Sequence, residues 1–184
     1  MAIVKVKAGK GSISDVFNYV LDKEKTDDTL ISSKDCMAET AQKEFELTKH
    51  RFGKTDGRTY FHIVQSFSPE DDITPYEANN LGLEFAGFFE GYQVLVVTHT
   101  NREHLHNHII VNSVSFEGGK KLHMEKADLQ ALKEHSNKLC RKYGLKVLYN
   151  FSGAYKMSVD EIVQRAQKQL DFGIPLLAWY TLDE

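Results

Sequence analysis

At 184 residues with a hydrophobic fraction of 41%, the chain is long enough for one domain with a sizeable core. Its net charge of −3 gives no whole-chain attraction for a nucleic acid or a membrane, and the isolated Cys36 and Cys140 exclude a CxxC zinc ribbon and a disulfide framework. The N-terminus lacks the layout of a signal peptide, and no apolar run approaches the ~20 residues that span a bilayer, so the chain reads as cytoplasmic with no membrane segment.

Ala2 to Ala8 alternates Ile3, Val4 and Val6 with Lys5 and Lys7, an edge-like strand ended by Gly9-Lys10-Gly11. Ser12 caps a helix with Asp15 in its first turn and an apolar stripe of Ile13, Val16, Phe17 and Val20. At 100° per residue Tyr19 falls off that stripe, so its hydroxyl is available to a cleft. Asp22 to Lys34 is polar and reads as a mobile loop, and Ala38 to Phe52 as a second helix. Thr59 to Phe67 is a strand ended by Ser68-Pro69, and Thr74-Pro75 opens a helix running to about Phe89.

Val94 to His99 and the segment from His106 form two strands across a short polar turn. Gly118-Gly119 is a turn, after which Lys120 to His123 extends the sheet. Met124 to Tyr143 is a long helix closed by Gly144 as a C′ glycine, followed by a short strand, Leu145 to Tyr149. Ser158 to Gln169 reads as a final helix with a Ser158–Glu161 capping box, and 171–184 is an apolar tail. This order predicts an α+β fold, a central, mostly antiparallel sheet with its helices on one side. Residues 1–150 form one domain. Residues 151–184 are a C-terminal helix and tail, either packed on that domain or part of a truncated extension.

Charge is unevenly placed. No Lys or Arg occurs from Thr59 to Asn101, where there are six acids (Glu70, Asp71, Asp72, Glu77, Glu84, Glu90). Between Gly118 and Lys146 eight bases outnumber three acids, and Lys5, Lys7 and Lys10 make the N-terminus basic. The basic segments suit a polyanion with the acidic helix facing elsewhere, although on this feature alone a solvated, charged helix is the favoured reading.

The chemistry concentrates in Thr98 to Ile110, where four of the eight histidines fall within ten positions. Strand alternation places His106 and His108 on one face. If the two strands pair as a hairpin, His99 returns beside them, giving the three-imidazole ligand set of an open metal site. Imidazole suits Zn, Mn, Co or Ni better than Mg, and a bound ion polarises a phosphoryl oxygen or lowers a water's pKa. Glu103 and His104 lie in the turn, where they either support the ligands or are simply solvated. At the end of the Thr59–Phe67 strand, Gln65 or Ser66 faces the metal and suits a phosphate or base contact. His50 and His135 read as ordinary packed or surface histidines.

The residues resemble the relaxases of conjugative and mobilisable elements, the MobP-type mobilisation nucleases of the HUH endonuclease superfamily. Val16-Phe17-Asn18-Tyr19-Val20-Leu21 is similar to the family's first motif, His62-Ile63-Val64-Gln65-Ser66-Phe67 to its second, and His99 through Asn112 to its histidine motif. Two positions depart from the pattern: Asn107 stands where the family has an apolar residue between paired histidines, and Asn101 stands where it has an acid. The resemblance implies a relaxase-type sandwich in which Tyr19 is the catalytic nucleophile and His99, His106 and His108 hold a divalent metal, Mn or Mg in assay, with Zn, Co or Ni as further options. It implies nicking and rejoining of one strand of single-stranded origin-of-transfer DNA through a 5′-phosphotyrosine, in concert with relaxosome accessory proteins and a coupling protein. Gln65, Ser66, Lys120 and Lys121 are the candidate DNA contacts, and Glu103 or Asp22 the candidate general base. Two other readings stand beside it. One is a histidine-triad nucleotide hydrolase or transferase, whose pattern His104-Leu105-His106-Asn107-His108 nearly matches. The other is a DNA-binding accessory domain with a structural metal.

Overall fold

A computed structural model of the protein describes residues 2–147. The expected helix Ser158 to Gln169, the tail 171–184 and the boundary at residue 150 lie outside the described residues. Five strands form one fully antiparallel sheet in the order β1-β3-β5-β4-β2: β1 (Ile3–Gly9), β2 (Ile31–Lys34), β3 (Tyr60–Ser66), β4 (Val94–His99) and β5 (His106–Asn112). The helices are α1 (Ile13–Val20), α2 (Ala41–Arg51), α3 (Pro75–Ala86) and α4 (Lys126–Lys142). The α+β class and antiparallel sheet match the sequence expectation.

The helices cover both faces of the sheet, not one. Ile13, Val16, Phe17 and Val20 of α1 and Ala41 and Phe45 of α2 pack on Leu95, Val97 and Ile110. Leu81 and Phe85 of α3 and Leu132, Leu139 and Cys140 of α4 pack on Ile63, Val96, Ile109 and Val111. The reason is written in β4 and β5. Val94 to Val97 and Ile109 to Val111 are continuously apolar, so both faces need cover, and every residue of both strands is buried. Phe17 meets Phe45 edge-on at 5.6 Å, locking α1 to α2.

The α1 stripe is buried as read, with Ser12 capping through its side chain at 3.1 Å from the Ser14 amide. Tyr19, off the stripe, is 46% exposed. The Thr74–Glu77 capping box and Pro75 in the first turn start α3.

Three local expectations are corrected. The polar stretch from Asp22 is ordered: a 3-10 turn, Asp28–Leu30, leads into β2, which pairs with the outer edge of β4. Ser32 and Ser33 hid this strand because an edge strand lacks strict apolar alternation. Lys120 to His123 contributes only an isolated bridge, Val114↔Lys121. Leu145 to Val147 is not strand, since the chain leaves α4 through Gly144 at φ +73° with the Leu145 amide on the Cys140 carbonyl at 2.8 Å; Leu148 and Tyr149 lie outside the described residues.

Candidate metal and nucleophile site

The β4–β5 register sets the site. His99 lies opposite His106, and Val97 opposite His108, so the three imidazoles share one face of neighbouring strands. They are almost wholly buried, and their available nitrogens lie within 4.8 Å of one another. Centroid separations are 4.2 Å for His99–His108, 5.1 Å for His106–His108 and 5.2 Å for His99–His106.

Each histidine is held by its second nitrogen. His99 Nε2 is 2.8 Å from the Val20 carbonyl, and His106 Nδ1 is 3.3 Å from the His104 carbonyl. A carbonyl only accepts, so both nitrogens are the protonated ones, leaving Nδ1 of His99 and Nε2 of His106 with lone pairs. His108 Nδ1 is 2.8 Å from His62 Nε2, and His108 Nε2 is buried with no hydrogen-bond partner. This orphaned atom beside two further lone pairs fits a divalent cation, and outward ties of this kind are what orient metal-binding imidazoles. Burial also pushes all four rings toward the neutral, ligating form. It lowers His99 and His106, takes His62 to about 4 and takes His108 to about 2.

Tyr19 reaches the same place from the last turn of α1. Its ring stands edge-on to His108 at 5.4 Å and lies 6.0 Å from His99. The bond from His99 to the Val20 carbonyl fixes that helix end to β4, which holds the tyrosine against the cluster. Ser66 lies on this face too, opposite His106, and is half-buried.

Other expected site residues fall elsewhere. Gln65 is fully buried on the opposite face, where its amide donates to Ser136 Oγ at 2.9 Å and its oxygen accepts from Asn107 Nδ2 at 3.1 Å. It is therefore a core residue and not a DNA contact, because alternation sends it away from Ser66. Lys120 and Lys121 flank the far end of β5, roughly 20 Å of strand from His108 at ~3.3 Å per residue. Lys121 is engaged there, its Nζ donating to the Asp56 carbonyl at 2.5 Å. Glu103 is exposed in the turn, and His104 supports the cluster through its carbonyl. Asp22 is tied to Lys25 at 2.7 Å, which together with the Glu24 amide holds its carboxyl below the usual range and makes it a poor general base.

The sequence reading missed His62 and the polar layer behind the histidines. His62 was visible as a strand histidine, but only the β3–β5 register places it against His108. Behind β5, Asn107 donates to the Ala78 carbonyl at 2.6 Å and accepts from Thr98 at 2.7 Å, and Thr98 accepts from Asn79 at 3.0 Å. With Gln65 and Ser136 this chain of bonds joins α3, α4 and the three central strands. Gly82 of α3 permits it, since a Cβ there would sit 2.6 Å from Asn107 Nδ2.

Known proteins resemble this chain in sequence and in fold. The family described as "Relaxase: MobA/VirD2-like, nuclease domain" matches residues 19–145, a span that holds Tyr19 and all three histidines. Protein rlx of Staphylococcus aureus is 39% identical over 117 residues, covering 63% of this chain and 37% of that protein. The group II intron-interrupted relaxase LtrB of Lactococcus lactis subsp. cremoris (strain MG1363) is 33% identical over 109 residues, covering 50% of this chain and 19% of that protein. The chain thus spans well under half the length of these relatives. A solved structure described as "Molecular Basis of Vancomycin Resistance Transfer in Staphylococcus aureus" shares the fold, with a TM-score of 0.54 over 80% of this chain and 96% of that one at 14% identity. With its family match covering most of the described residues, the chain belongs to the MobA/VirD2-like relaxase nuclease-domain family.

Proposed function

We propose that this chain nicks one strand of single-stranded origin-of-transfer DNA by attack of Tyr19 on a backbone phosphodiester, and can rejoin it. The observation that carries this reading is Tyr19 standing 5.4 Å from His108, whose buried Nε2 has no partner and faces the neutral lone pairs of His99 and His106. His99, His106 and His108 would hold a divalent ion, which when bound supplies positive charge against the scissile phosphate and fixes it in place. The Tyr19 oxygen bonds to phosphorus as the P–O3′ bond breaks, leaving a 5′-phosphotyrosine and a 3′-hydroxyl. Because a phosphodiester bond replaces a phosphodiester bond, the reverse step needs no nucleotide cofactor.

The open half of the histidine face suits the rest of the strand. Lys5 and Lys7 of β1 are exposed on it, Lys7 directly opposite His62, beside the half-buried Val64 and Ser66. Phosphates meet cations there while the bases lie on the sheet. A histidine-triad hydrolase would leave Tyr19 without a role.

The test incubates the 184-residue chain with Mn²⁺ and a randomised pool of single-stranded oligonucleotides, followed by a denaturing gel. A covalent protein–DNA band that disappears with EDTA and in Tyr19→Phe is expected. A band undiminished in Tyr19→Phe removes Tyr19 as nucleophile, and one undiminished by EDTA removes the metal. Sequencing the captured DNA supplies a defined substrate.

A further inference from the structure

Beside Tyr19 stands a cation with no place in the scheme so far. Lys25 lies in the turn after α1, and its Nζ sits 4.6 Å above the centre of the Tyr19 ring. The ammonium is also held by Asp22 at 2.7 Å, and the side chain is 25% exposed. The backbone is fixed as well. The Lys25 carbonyl accepts from the Thr100 amide at 2.9 Å, one residue beyond His99, and the Lys25 amide donates to the Asp22 carbonyl at 2.9 Å. A long, flexible side chain is thereby held over the aromatic ring that borders the histidine cluster. Arg102, another cation near the cluster, lies on the exposed turn.

We propose that Lys25 is a catalytic residue, the protein's own cation for the negative charge that develops on the Tyr19 oxygen and the phosphate during strand transfer. The proposal rests on Tyr19 being the nucleophile. When the phenolic oxygen bonds to phosphorus and the P–O3′ bond breaks, the phenolic proton leaves and the departing 3′ oxygen takes one up. No redox partner is needed. A cation over the ring attracts a phenolate more strongly than a phenol, and one already in place needs no reorganisation as charge builds. Asp22 keeps the ammonium in position without sealing it, since both side chains remain partly open to solvent. An arriving phosphate can therefore share Lys25 with Asp22.

Two measurements with opposite expected signs separate this role from a structural one. Lys25 also stands near the imidazoles, its Nζ 4.6 Å above a ring that lies 5.4 Å from His108 and 6.0 Å from His99, so its charge opposes a second cation there. Removing it should therefore ease entry of a divalent cation even as it slows transfer. In Lys25→Met, adduct formation on the captured oligonucleotide should slow roughly ten- to hundredfold. Mn²⁺ affinity, followed by calorimetric titration, should rise about two- to fivefold. Lys25→Arg should recover most of the rate. The Thr100–Lys25 hydrogen bond uses only the backbone, so both variants keep the turn. Wild-type rates in Lys25→Met overturn the proposal. So does parallel loss of rate and metal affinity, which would mark Lys25 as structural, or a rate in Lys25→Arg as low as in Lys25→Met. A wild-type chain that captures no oligonucleotide at all overturns the Tyr19 reading and this proposal together, whereas capture with an unaffected Lys25→Met overturns this one alone.

Discussion

Replacing Asn107, the polar residue between His106 and His108, with leucine is predicted from the structure to cause a large loss of stability. The Asn107 amide donates to the Ala78 carbonyl at 2.6 Å and to Gln65 Oε1 at 3.1 Å, and its oxygen accepts from Thr98 at 2.7 Å, all in the buried layer behind the histidines. Leucine satisfies none of the three. A buried polar group left without its partner costs about 1–3 kcal/mol: Gln65 Oε1 loses its donor, the Thr98 hydroxyl proton loses its acceptor although Asn79 still donates to that oxygen, and the Ala78 carbonyl loses the Asn107 amide. Space gives no relief, because Gly82 already brings α3 against this side chain. The expected destabilisation is about 3–5 kcal/mol, a large part of the ~5–15 kcal/mol that holds a typical domain. Thr98→Val, which removes a single member, should cost about 1–2 kcal/mol, and the two changes should be strongly non-additive. Urea unfolding of wild type, both single variants and the double variant measures all of this. An Asn107→Leu cost below about 1 kcal/mol, or simple additivity, would refute the idea that these side chains act as one network.

Three further outcomes follow from the site. His62→Ala removes the ring nitrogen paired with His108 Nδ1 and should weaken Mn²⁺ binding about tenfold with little change in fold, while His62→Gln keeps part of the affinity; equal titration curves for wild type and His62→Ala would deny His62 this role. In metal-free protein, stability should fall as pH drops below about 6.5. The unfolded chain takes up protons there, whereas burial keeps His62 neutral to about 4 and His108 to about 2; the slope is roughly 1 kcal/mol per pH unit per histidine, and urea midpoints at pH 7 and pH 5 that coincide would contradict it. This window lies above that of Asp22 and Asp27, whose carboxyls are held below their ordinary 3.8. Gly82→Ala should lower the thermal midpoint by several degrees, since its methyl would meet Asn107 Nδ2 at 2.6 Å and Val96 Cγ1 at 2.8 Å; an unchanged midpoint would show that α3 can shift freely.

The local patterns of the sequence determined a good deal. Apolar periodicity placed α1 with Tyr19 off its stripe, and the Thr74-Pro75 start placed α3. Period-two alternation put His106 and His108 on one face, and a short polar turn between two apolar runs made the hairpin that returns His99 to them. These features need only a residue's neighbours along the chain, so they can be read without a fold. Three things depended on which segments meet in space. The continuous apolar runs of β4 and β5 require cover on both faces, but only the packed structure shows what supplies it: α1 and α2 on one face, α3 and α4 on the other. Gln65 and Ser66 looked equivalent until the β3–β5 register sent one into the core and the other toward the histidines. Most of all, His62, Lys25 and the Val20 carbonyl lie far in sequence from the histidines they serve. Long-range register and helix docking alone bring them to the site, and they turn three clustered imidazoles into oriented neutral rings with a tyrosine and a cation beside them.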